Sequence, residues 1–85
     1  MTRLLAARIY LTVNNMMVEV FKTNVDSSGP ANRLTGLLQA LFPGSRVNFD
    51  LEDCDRVLRV EGANICCKKI IDLLTTEGYQ CLDLV

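Results

Sequence analysis

Eighty-five residues are enough for one domain and too few for two. With 49% apolar and 22% charged residues the chain excludes the disordered class, and 9 basic against 10 acidic residues exclude a general affinity for nucleic acid or anionic membranes, which takes clustered positive charge. There is no His, so the commonest general base and metal ligand is missing, and the four cysteines read as reduced cytosolic thiols because the chain is apolar enough to build a core without staples.

Residues 1–15 read as an N-terminal extension ahead of a domain spanning 16–85. Leu4 to Val13 imitates a signal peptide, but Arg8 interrupts the apolar run and no small-residue cleavage site follows Val13. The segment is β-prone enough to add a strand or to pair with a sheet edge, and Met16 and Met17 stand as alternative starts. No run of about 18 apolar residues is present, so no transmembrane helix is expected.

Val18-Glu19-Val20-Phe21-Lys22 reads as a first strand. Asp26 to Pro30 breaks the chain and starts a helix, with Ser28 or Gly29 as cap and Pro30 in the first turn. Leu34, Leu37, Leu38 and Leu41 recur along one helix face, and Pro43-Gly44 ends it. Val47, Phe49 and Leu51 alternate with Asn48, Asp50 and Glu52, a half-buried strand. A turn at Asp53-Cys54-Asp55 leads into a third strand, 56–61, with Leu58 and Val60 inward, and the short link makes the pair an antiparallel hairpin. Residues 63–77 read as a second helix burying Ala63, Cys67, Ile70 and Leu74, capped by Gly78. Gln80 to Val85 forms the last strand, with Leu82 and Leu84 inward.

The order strand, helix, strand, strand, helix, strand predicts an α+β, ferredoxin-like βαββαβ sandwich: a four-stranded antiparallel sheet with two helices on one face. Alternation assigns Glu19, Phe21, Asn48, Asp50, Glu52, Val57, Arg59, Glu61, Cys81 and Asp83 to the open face. Of these, Glu19, Phe21, Asp50, Glu52, Arg59 and Asp83 form the candidate interaction surface.

The first strand, the helix ending at Leu41, Pro43-Gly44, Val47 to Leu51 and Gly78-Tyr79 together resemble the heavy-metal-associated domains of copper chaperones and metal ATPases, over about four fifths of the chain (Val18 to Val85). The run Asn48 to Arg56 is also similar to that of short uncharacterised bacterial proteins of this fold. The resemblance implies a metal loop, Met-x-Cys-x-x-Cys, between the first strand and first helix. In this chain Val25, Ser27 and Pro30 stand at those three positions. Two thiolates can share one soft ion; a hydroxyl is a poor soft ligand and proline offers no donor. The resemblance therefore implies the fold, and the residues argue against the family's metal and against any cofactor.

The remaining thiols, Cys54, Cys66, Cys67 and Cys81, are the alternative metal ligands. Adjacent helical residues such as Cys66 and Cys67 point about 100° apart and do not converge on one ion; Cys67 is expected in the core and Cys66 at its margin. Asp50, Glu52, Asp53 and Asp55 lack the spacing of a calcium loop and read as a solvated face, with Arg56 and Arg59 as cross-strand partners. No catalytic triad, phosphate loop or aromatic stacking platform is visible. The expectation is a non-enzymatic binding or interaction module in the cytoplasm, working with a protein partner or as a weak homodimer. A metal-handling protein using the remaining thiols and an ACT-type small-molecule regulatory domain are the alternatives.

Overall fold

The structure, a computed structural model, describes residues 16–84, so the expectations for residues 1–15 and for Val85 lie outside the described residues. Strand β1 spans Met17–Thr23, helix α1 Ser28–Leu41, β2 Arg46–Asp50, β3 Val57–Gly62, α2 Cys67–Thr76 and β4 Cys81–Asp83. The strands pair antiparallel in the order β2-β3-β1-β4. This is the expected ferredoxin-like α+β sandwich, in which both crossovers place their helices on one sheet face. Between the layers Leu34 and Leu38 of α1 and Ile70 and Leu74 of α2 meet Phe21, Leu58 and Val60 of the sheet, all fully buried.

Helix α1 starts from Ser27 in extended conformation and accepts Pro30 in its first turn, where a missing N–H costs nothing. Its buried stripe is Ala31, Leu34 and Leu38, whereas Leu37 is half-buried and Leu41 is 40% exposed. The four-leucine face is thus one turn too far toward the C-terminus. Helix α2 begins four residues later than its apolar pattern suggests. Asn64 adopts a left-handed φ of 59°, which ends helical continuity, so Ala63 is exposed in a turn and Ile65 enters the core instead. At the other end Gly78, at φ 96°, closes the helix: its N–H donates to Thr75 O and that of Tyr79 to Leu74 O at 2.9 Å. That bonding pattern needs a left-handed residue, which gives the Gly78-Tyr79 pair its physical reason.

The parity of two strands differs from the expectation. Glu19 pairs with Val60 and Phe21 with Leu58; Phe21 also pairs with Asp83, and Thr23 with Cys81. Residues directly opposite in an antiparallel pair project from the same face. Phe21, Leu58 and Val60 are core residues, so Glu19, Cys81 and Asp83 lie beneath the helices with them and not on the open face. Leu82, expected inward, points out and is 59% exposed. The cause is volume. Phe21 is the bulkiest apolar side chain of β1, and turning it inward carries every second residue with it. The open face retains Asn48, Asp50, Val57, Arg59 and Glu61 and gains Val18, Val20 and Lys22, while Glu52 sits in the β2–β3 turn.

Candidate functional site

The loop that the family resemblance singles out does not fit a soft metal. Val25 is fully buried in the core, Ser27 is exposed and Pro30 has no donor atom. The loop is instead tied at its β1 end. Thr23 Oγ1 donates to Arg56 O at 2.6 Å and accepts from Val25 N–H at 3.2 Å, and Asn24 Oδ1 accepts from Gln80 N–H at 2.8 Å.

Toward the opposite end of the sheet, where β1 begins and α2 starts, three donor groups converge. Glu19 reaches in from β1, Asp83 from β4 and Cys67 from the first residue of α2. One ligand atom from each lies within 4.8 Å of the other two. The Cys67 S–H donates to Asp83 Oδ2 at 3.2 Å and lies 3.7 Å from Glu19 Oε1. The second oxygen of Asp83, Oδ1, is buried and accepts no hydrogen bond. Glu19 is 1% exposed, an acid set on the core face beside Phe21, Leu58 and Val60.

Burial pushes the Cys67 thiol up to about 12, helped by its hydrogen bond to Asp83 and the charges of Glu19 and Asp83. Cys81, buried on the same strand face as Asp83, is likewise pushed up to about 12 by burial and then by the Asp83 charge. Both are neutral thiols near pH 7, which suits neither for nucleophilic attack unaided.

The other candidates do not converge here. All four cysteines are free. Cys66 is half-buried at the core margin, as expected; Cys67 is also half-buried, against the acids rather than in a purely apolar core. Cys54 is exposed, in a second grouping with Asp53 and Asp55 at the hairpin turn. There Asp53 Oδ1 already accepts the Asp55 N–H at 2.8 Å, the bond of an ordinary turn. The arginines are not cross-strand partners: Arg59 pairs with Glu61 on its own strand at 3.2 Å, and Arg56 donates to Leu51 O at 2.6 Å. Asp50, Arg59 and the exposed Glu52 remain at the surface, and no helix of the described residues covers the open face.

Sequence reasoning missed Glu19 and Asp83 as site residues because it set both outward. The available signal was Phe21. Once the one aromatic of β1 is turned to the core, Glu19 must follow, and an acid at a core position marks a site or a paired charge. Among the described residues no helix is long and apolar enough to cross a membrane. Compared with family models, curated proteins and solved structures, the chain matches none.

Proposed function

We propose that this domain is a non-enzymatic binding module of heavy-metal-associated-like fold that lacks the metal loop of that family and holds a divalent cation at Glu19, Cys67 and Asp83. The observation that carries the reading is the convergence of three ligand atoms from three separate elements within 4.8 Å beneath a helix. The fully buried Glu19 and the buried, unsatisfied Oδ1 of Asp83 support it. A cytoplasmic setting accords with four free thiols. The non-enzymatic part rests on the absence of His from the chain and on the two inward thiols being held protonated.

A ligand that binds only the folded state raises stability by about 2.7 kcal/mol at a hundred times its Kd. Thermal melts of the reduced full chain with Zn(II), Mn(II), Ca(II) or Mg(II) test the reading. A rise in Tm with at least one of them, reversed by a chelator, supports it; unchanged melting with all four contradicts it.

One observation favours a second, structural reading. Helix α2 has no side-chain cap at Cys66 and no acidic residue in its first turn, and the two acids lie against its first residue, Cys67. There they would offset the positive end of the helix dipole. Under this reading Glu19→Gln lowers stability with no cation present, and no cation restores or raises it.

A further inference from the structure

Resting on the cation reading above, we infer that the bound ion is of the zinc class, Zn(II) or its softer relative Cd(II), and that Cys67 binds it as a thiolate with Glu19 and Asp83 completing a three-residue, one-sulfur site. The donor set decides the class. Calcium takes six to eight oxygens and magnesium a near-ideal octahedron of them, which two carboxyl groups under a helix do not supply. Cu(I) favours a pair of soft sulfurs, and the cluster contains one: Cys81, Cys66 and Cys54 stand outside the grouping of Glu19, Cys67 and Asp83. Zinc accepts sulfur and oxygen together in a four-coordinate tetrahedron.

The spacing agrees with that assignment. Bonds of about 2.3 Å to sulfur and about 2.0–2.2 Å to oxygen at a tetrahedral angle put the sulfur roughly 3.6 Å from each oxygen. The Cys67 sulfur lies 3.2 Å from Asp83 Oδ2 and 3.7 Å from Glu19 Oε1, one on each side of that value. The two sulfur-to-oxygen distances therefore each need to shift by only a few tenths of an ångström to admit the ion. On binding, the metal–sulfur bond forms as the S–H bond breaks; the proton leaves to the buffer and no electrons are transferred. The hydrogen bond from Cys67 to Asp83 is lost in that step, freeing Oδ2, while Oδ1 is the second oxygen without a partner. Three protein ligands leave the fourth position to water, as in zinc sites that keep an open position.

Ultraviolet absorption resolves this, because a thiolate bound to Cd(II) has a sulfur-to-metal charge-transfer band that a carboxylate lacks. The reduced full chain is titrated with Cd(II), alongside Cys67→Ser, Cys67→Ala, Cys81→Ser and Glu19→Gln, each checked for a cooperative melt. The expected result is a band that saturates at one equivalent, disappears in both Cys67 variants and persists in Cys81→Ser. Glu19→Gln should lower Zn(II) affinity by at least the roughly 10–100-fold that loss of an outer-shell partner costs. A cation that binds without the band, or a band that survives in a folded Cys67 variant, overturns the thiolate assignment while leaving a cation site in place. Failure of every divalent ion to bind removes both readings.

Discussion

Cys67 Sγ lies 3.2 Å from Asp83 Oδ2, so one side-chain hydrogen bond joins the first residue of α2 to the last residue of β4. The same sulfur sits 3.7 Å from the buried acid of Glu19 on the neighbouring strand. A helix start, an inner strand and an edge strand meet at a single thiol.

Alkaline stability follows from the thiols. Cys67 and Cys81 are raised from 9.0 to about 12 in the folded protein. Their folded values lie above the unfolded ones, so this contribution is complete below about pH 9 and is lost as pH rises toward about 12, where the unfolded chain has already released protons that the folded chain keeps. Urea melts of metal-free protein should show stability falling above about pH 9, with a shallower fall in Cys67→Ser and Cys81→Ser. Equal slopes in all three proteins would remove this role for the two thiols.

Thiol labelling should proceed in a fixed order. A rise from 9.0 to about 12 lowers the thiolate fraction of Cys67 and Cys81 by about a thousandfold relative to an ordinary thiol. Cys54 is exposed in the hairpin turn. Under native conditions a disulfide reagent should therefore modify Cys54 first, with Cys67 and Cys81 reacting on the timescale of unfolding. Rapid labelling of Cys81, read by peptide mass mapping, would contradict its burial.

Strand parity is testable by paired substitutions. Phe21 is fully buried, so Phe21→Ala should cost about 3–5 kcal/mol. Leu82 is 59% exposed, and Leu82→Ser should stay within about 0.5 kcal/mol of the parent. Chemical denaturation distinguishes the two, and a large loss at Leu82 with a small one at Phe21 would restore the opposite register.

The loop at Val25 to Pro30 should accept the chemistry it lacks. Ser27 is exposed and its side chain makes no capping hydrogen bond, so replacing it removes no such bond. Ser27→Cys combined with Pro30→Cys should confer Cu(I) binding in competition with a Cu(I) chelator, because two thiolates at that spacing can share a soft ion. A folded double variant that competes no better than the parent would show that the resemblance to heavy-metal-associated domains does not extend to loop geometry.

Where one periodicity dominated, the sequence was readable. Leu58 and Val60 face inward as their alternation indicates, and Leu34 and Leu38 mark the buried side of α1. In β1 both parities are apolar, Val18 and Val20 against Phe21, so alternation carries little information there and side-chain volume decides. The β4 error is inherited, since Asp83 must share the face of its partner Phe21. The start of α2 was hidden by one left-handed residue, Asn64, inside an otherwise helical pattern. The site itself joins Cys67 to residues 48 and 16 positions away, a juxtaposition that only the sheet register creates.

Whether Glu19, Cys67 and Asp83 hold one cation together is decided by competition of the reduced full chain with a chromophoric zinc chelator. The parent protein should withdraw one equivalent of Zn(II), and Glu19→Gln, Cys67→Ser and Asp83→Asn, each shown to be folded, should lose that capacity while Cys54→Ser and Cys81→Ser keep it. A parent protein that leaves the chelator fully loaded, or withdrawal that persists undiminished in folded Glu19→Gln and Asp83→Asn, would contradict it.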